Sequence, residues 1–85
     1  MFTVAFSSKA EKDFLGFSSD IKEHIANALQ RFREDPYPAG SKKLKGALAG
    51  TWRLRVGNYR IIYDVYPKDR TIFILNIGPR KSIYR

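Results

Sequence analysis

Three arginines in the stretch Thr51 to Val65, TWRLRVGNYRIIYDV, are spaced so that they could act together on an anion. Trp52, Leu54 and Val56 alternate with Arg53 and Arg55. After Gly57-Asn58, Tyr59, Ile61, Tyr63 and Val65 alternate with Arg60, Ile62 and Asp64. A period of two on both arms is what half-buried strands require. Glycine at the first position of a two-residue loop suits a type II′ turn, where that residue needs φ > 0. In this register Val56 faces Tyr59, Leu54 faces Ile61 and Trp52 faces Tyr63, which stacks the apolar residues on one side. Arg55 then lies across from Arg60 on the other. Like charges directly opposite each other destabilise a strand pair, so these arginines, with Arg53 beside them, suit a site whose missing partner is an anion. The alternative is a plain solvated outer face.

Groups that could move a proton are scarce. The only histidine, His24, falls between Glu23 and Ile25 on a helical stretch, off its apolar stripe, and reads as solvent-facing. Chemistry built on paired histidines is therefore excluded, and acid–base work would fall to Tyr, Lys, Asp or Glu. There is no phosphate-binding glycine loop, no nucleophile elbow and no metal-ligand cluster, so neither a cofactor nor a metal is expected. Lys42, Lys43 and Lys45, in the glycine-punctuated run AGSKKLKGALAG (39–50), could contact phosphate or simply be solvated.

The elements that must hold these residues can be read in chain order. Phe2, Val4 and Phe6 alternate with Thr3 and Ala5 as a short strand. Ser8-Lys9-Ala10-Glu11 matches a capping box opening a helix from about Lys9 to Phe17. Gly16 and Ser18-Ser19 break that helix, and Asp20 with Glu23 offers a second start. Ile21, Ile25, Ala28, Leu29 and Phe32 then recur on one helical face until Asp35-Pro36-Tyr37-Pro38 ends it. After the arginine hairpin, Pro67-Lys68-Asp69-Arg70 reads as a turn and Thr71 to Ile77 as a central strand, apolar on nearly every residue. The order β-α-α-β-β-β predicts an α+β domain, with two N-terminal helices on one face of a small, mainly antiparallel sheet of about four strands. The other face would be left to Arg53, Arg55 and Arg60.

Composition agrees with a single small basic domain over residues 1–85. Hydrophobic residues at 44% suffice for one core. Sixteen Lys and Arg against eight Asp and Glu give a net charge of +8, which points to nucleic acid, anionic lipid or an acidic protein partner. The absence of cysteine removes disulfides and thiolate metal sites and is compatible with a reducing cytosol. No apolar run is long enough to span a membrane, and the opening residues lack a basic n-region, so neither a membrane segment nor a secretory signal is expected.

Taken together, Trp52-Arg53-Leu54-Arg55, Gly57-Asn58-Tyr59-Arg60-Ile61-Ile62-Tyr63 and Ile77-Gly78-Pro79-Arg80-Lys81-Ser82-Ile83-Tyr84 resemble the RelE toxins of the RelE/ParE toxin–antitoxin superfamily. The likeness runs through the whole chain, including Leu44-Lys45-Gly46 ahead of the hairpin. It implies a ribosome-dependent endoribonuclease that cuts messenger RNA in the decoding site by metal-free attack of a ribose 2′-hydroxyl on the adjacent phosphate. By the same resemblance Arg53, Arg55, Arg60, Arg80 and Tyr84 form the catalytic set. Lys42, Lys43, Lys45, Lys81 and Arg85 are the expected RNA contacts, and the partners are the ribosome, messenger RNA and an acidic RelB-like antitoxin. Clustered guanidiniums would stabilise the phosphorane-like transition state, and nearby cations would lower the phenol pKa of Tyr84. The best-studied members carry lysines on the basic strand where this chain has Arg53 and Arg55, and an arginine cannot titrate. ParE-like relatives share the scaffold and poison DNA gyrase instead, and a non-catalytic nucleic-acid-binding domain would show the same charge.

Overall fold

The computed structural model describes residues 1–46 and 49–79. In chain order its elements are β1 (Thr3–Phe6), α1 (Ser8–Leu15), α2 (Ser19–Glu34), β2 (Ser41–Lys43), β3 (Trp52–Val56), β4 (Tyr59–Tyr66) and β5 (Thr71–Pro79). The strands form one sheet in the order β1-β5-β4-β3-β2. β1 runs parallel to β5 and every other neighbouring pair is antiparallel. The α+β class and the one-sided packing of both helices are as expected, but the sheet has five strands. The added edge strand, β2, falls inside the run read as a loop. Ser41, Lys42 and Lys43 carry no apolar alternation, and only pairing with β3 makes them extended.

Both helices begin earlier than expected. The Ser7 hydroxyl, not that of Ser8, accepts from the Ala10 amide at 3.0 Å and also donates to the Leu75 carbonyl at 2.9 Å. That shift takes Glu11 out of the capping-box position. Ser18 caps α2 by accepting from the Ile21 amide at 3.4 Å, ahead of the expected Asp20. Ser7 has a second task because β1 is short. Beyond Phe6 the edge of β5 loses its parallel neighbour, and α1 supplies the missing partners. The Ser7 amide donates to the Ile74 carbonyl at 2.8 Å, and the Ile77 amide donates to Asp13 Oδ2 at 3.4 Å. Lys9 Nζ ties Asp13 at 3.1 Å to the Asn76 side chain, also at 3.1 Å.

Ala10 from α1 and Ile25, Ala28 and Phe32 from α2 pack against Leu54, Ile61, Tyr63, Ile72, Ile74 and Ile77. Leu29 and Trp52, expected in the same core, border it and are only partly buried, as is Ile21 on the same helical face. The spacing of two and then three along β5 arises from a register shift opposite Ile62 and Tyr63. Ile62 pairs with Asn76 and Tyr63 with Ile74, leaving Leu75 as the extra residue of a bulge. This slip turns Ile77 back toward the helices. Tyr63 lies against Phe32 with ring centroids 4.5 Å apart, and its hydroxyl donates to the Pro36 carbonyl at 2.9 Å. Burial pushes its phenol pKa up to about 12.

Candidate nucleic-acid interface

The hairpin register is as the alternation predicts: Trp52 pairs with Tyr63, Leu54 with Ile61, Arg55 with Arg60 and Val56 with Tyr59. Gly57 supplies the positive φ of the turn, at 60°. Since side chains directly across an antiparallel pair share a face, two rows cross the helix-free side of the sheet. One runs Lys42, Arg53, Ile62, Asn76. The next runs Arg55, Arg60, Gly78. Lys42 thus joins the arginines, whereas Lys43 pairs with Trp52 and falls on the opposite face. Lys45 is exposed beyond the end of β2.

Arg60 is the unusual member. A surface arginine normally keeps its guanidinium in water, but Arg60 is only 5% exposed. Its Nη1 donates to the Tyr59 carbonyl at 3.1 Å, with a longer contact to that of Gly57 at 3.4 Å. Its Nε has no hydrogen-bond partner among the described residues. Neither Arg55 nor Arg60 has a carboxylate within ion-pair distance among those residues. Glycine at position 78 puts no side chain on the flank of Arg60 facing β5. The guanidinium cannot shed its proton, so a buried site of this kind favours a bound anion that accepts from the fork bidentately. Arg53 is half-buried and Arg55 exposed, so the cluster grades from solvent into the sheet.

Two further members of this face, placed there by the alternation, have no role assigned from the sequence. Ile62 is 2% exposed although it points away from the helices, and it forms the apolar floor beside Arg53 and Arg60. The uninterrupted run Ile61-Ile62-Tyr63 is the signature of a strand covered on both faces, and on this face Ile62 lies across from Arg53 and two positions along from Arg60. Asp64 is the carboxylate on the same face, two positions farther along β4, and its Oδ1 accepts from the Val65 amide at 2.9 Å. His24 is exposed, as expected. It lines a cleft of about 280 Å³ between α2 and the hairpin turn, on the opposite side of the sheet from the arginines. No group of three or more His, Cys, Asp or Glu that could hold a metal exists among the described residues. Arg80, Lys81, Tyr84 and Arg85 lie outside the described residues.

Comparison with known proteins agrees with this architecture. The family model described as the ParE toxin of the type II toxin–antitoxin system parDE matches residues 4–84. The chain is 32% identical over 85 residues to the toxin RelG of Mycobacterium tuberculosis, covering 99% of this chain and 97% of that protein. Its fold is similar to a chain of the RelBE2 toxin–antitoxin complex of Mycobacterium tuberculosis, with a TM-score of 0.82, 29% identity and coverage of 93% and 98% of the two chains. It is also similar to a chain of the archaeal RelE–RelB complex of Pyrococcus horikoshii OT3, with a TM-score of 0.80, 26% identity and coverage of 95% and 97%. The basic hairpin, the sheet behind it and these whole-length likenesses have one account: the chain belongs to the RelE/ParE superfamily of type II toxin–antitoxin toxins, with RelE-type proteins among its relatives.

Proposed function

We propose that the protein is an endoribonuclease that cuts messenger RNA on the ribosome, and that the face carrying Lys42, Arg53, Arg55 and Arg60 receives the scissile phosphate. The observation that carries this reading is Arg60, a cation 5% exposed with no carboxylate partner among the described residues, opposite Arg55 and beside Gly78. In the reaction the ribose 2′-oxygen forms a bond to the adjacent phosphorus while the bond from phosphorus to the 5′-oxygen breaks. The 2′-hydroxyl proton passes to a base and the leaving oxygen gains one, giving a 2′,3′-cyclic phosphate and a 5′-hydroxyl. Charge builds on the non-bridging oxygens in between, where fixed guanidinium donors act without reorganising. Arginine cannot be the proton carrier. That role is assigned by family likeness to Tyr84, with Arg80 as a further cation.

Single-turnover cleavage of a message on ribosomes paused with an empty decoding site tests the assignment. Arg60→Ala should slow cleavage by roughly 10²- to 10³-fold, the scale for losing one transition-state donor. Cleavage at the wild-type rate would reduce the arginine face to a docking surface. Tyr84→Phe removes one hydroxyl and should slow cleavage by about 10²-fold, the scale of general acid–base catalysis.

The match to the ParE toxin family favours gyrase poisoning as a second reading. Primer extension on cellular messages after induction separates the two: cuts phased with codons support the nuclease, whereas intact messages with DNA damage support the poison. The expected partner is an acidic RelB-type antitoxin, a reading supported by the Mycobacterium tuberculosis and Pyrococcus horikoshii relatives, both of which are toxin–antitoxin complexes. A net charge of +8 makes it complementary to such a chain.

A further inference from the structure

Away from the arginine face, Tyr37 and Trp52 form an aromatic pair at the far end of β3 from the hairpin turn, with ring centroids 4.4 Å apart and planes at 42°. Core packing accounts for Trp52 but not for Tyr37. Tyr37 is 42% exposed and stands in the loop after α2, where aromatic side chains have no structural need to be. Its hydroxyl makes no hydrogen bond among the described residues. The inner end is fixed. The Tyr37 amide donates to Asp35 Oδ1 at 2.8 Å, and Pro36 and Pro38 restrict the backbone on both sides. The preceding residue, Pro36, is anchored to the core through its carbonyl by the Tyr63 hydroxyl.

Beside the Asp35 carboxylate, cations stand near the pair. Lys43 lies directly across from Trp52 on the same face and is exposed. Arg31 is held beside the loop by its bond to the Ala39 carbonyl. Lys45 follows on the same edge of the sheet. A part-exposed aromatic ring with cations nearby is the kind of surface that single-stranded nucleic acid uses, one base on the ring and the adjoining phosphates on the cations.

We propose that Tyr37, backed by Trp52, is a stacking platform for an unpaired base of single-stranded RNA, with Lys43 on the neighbouring phosphate. The platform stands at the β2 edge of the sheet, and Lys42 on the same strand faces the arginine side. A strand of RNA crossing β2 therefore meets Lys43 and the platform on one face and Lys42 with the arginines on the other. The inference rests on the reading of the protein as an RNA-binding toxin and adds a base-contacting site outside the proposed cleavage centre.

The protein has a single tryptophan, which sits in the platform itself and reports on it directly. Purified toxin is titrated with an oligouridylate of about eight nucleotides, a typical single-strand site length. Every sugar in it is 2′-O-methylated, so that cleavage is impossible. Trp52 fluorescence and the anisotropy of a 5′ dye on the RNA are read in parallel. Saturable quenching of Trp52 is expected at the same RNA concentration as the rise in anisotropy. Tyr37→Ala should weaken binding by about 10-fold or more, from the loss of one base stack. Tyr37→Phe should bind as wild type, since it keeps the ring. Circular dichroism checks that all three fold alike. The proposal is overturned if Tyr37→Ala binds as tightly as wild type, or if Tyr37→Phe is as weak as Tyr37→Ala. It is also overturned if the variant loses affinity only for an antitoxin. Ribosomal cleavage by the same proteins keeps the two readings apart: platform binding with uncut messages sinks the nuclease, and cutting with an unaltered Tyr37→Ala affinity sinks the platform.

Discussion

Arg60 places a cost on the free protein that its function must offset. Burying a guanidinium without a counter-ion is unfavourable, and replacing such a group with an apolar side chain of similar length is often neutral or stabilising. Arg60→Met should therefore leave the melting temperature unchanged or higher while slowing cleavage, a separation seen by differential scanning calorimetry beside the single-turnover assay. Inorganic phosphate should raise the melting temperature of the wild type through binding to the native state and leave Arg60→Met unmoved. Tyr63 carries the opposite kind of information. Its phenol ionises near pH 10 in an unfolded chain and at about 12 in the folded one, because burial disfavours the phenolate. Its contribution is complete below pH 10 and disappears as pH rises toward 12, where unfolding releases the proton. Urea titrations across that range should lose stability by up to about 2 to 3 kcal/mol from this group. The slope should flatten in Tyr63→Phe.

At the level of elements, the hairpin was legible in the sequence down to its residue pairs, because alternation and a glycine turn are local signals. α2 was legible for the same reason, from the spacing of Ile25, Ala28 and Phe32. What local pattern could not supply was anything set by a distant partner. β2 has no period of its own and takes its form from β3. Ser7 rather than Ser8 caps α1 because its hydroxyl also reaches Leu75 on a strand 68 residues away. The arginine positions could be read, but not the burial of Arg60, which depends on Gly78 across the sheet and on Ile62 beneath. These double roles are measurable. Ser7→Ala loses both a cap and a bond to β5 and should cost about 2 kcal/mol, against about 1 for the exposed cap Ser18→Ala. Phe32→Ala, at the centre of the contact between α2 and Tyr63, should cost about 3 to 5 kcal/mol in chemical denaturation. A loss much below 1 kcal/mol would mean that α2 does not seat on the sheet as described.

The molecule is two-sided, with the apolar core and two helices on one side of the sheet and the cluster of Lys42, Arg53, Arg55 and Arg60 on the other. If Lys42, Arg53, Arg55 and Arg60 each displace a counter-ion, affinity for single-stranded RNA should fall with salt at a logarithmic slope of about −3. Lys42→Ala should make that slope shallower by about 0.7, measured by anisotropy over a salt series. The sheet order has a further consequence in time. Among the described strands β1 pairs with β5 alone, joining Thr3–Phe6 to Thr71–Ile74, so β1 waits for a strand made about 65 residues later. Until residue 74 has emerged from the exit tunnel, β1 has no neighbour and Ser7 no carbonyl at Leu75, and β4 lacks the strand that brings Gly78 alongside Arg60. Non-local pairings of this kind form late in folding. A growing chain therefore presents a basic but unassembled hairpin to the ribosome that is making it, and the buried arginine face comes together only once Thr71–Pro79 have cleared the exit tunnel.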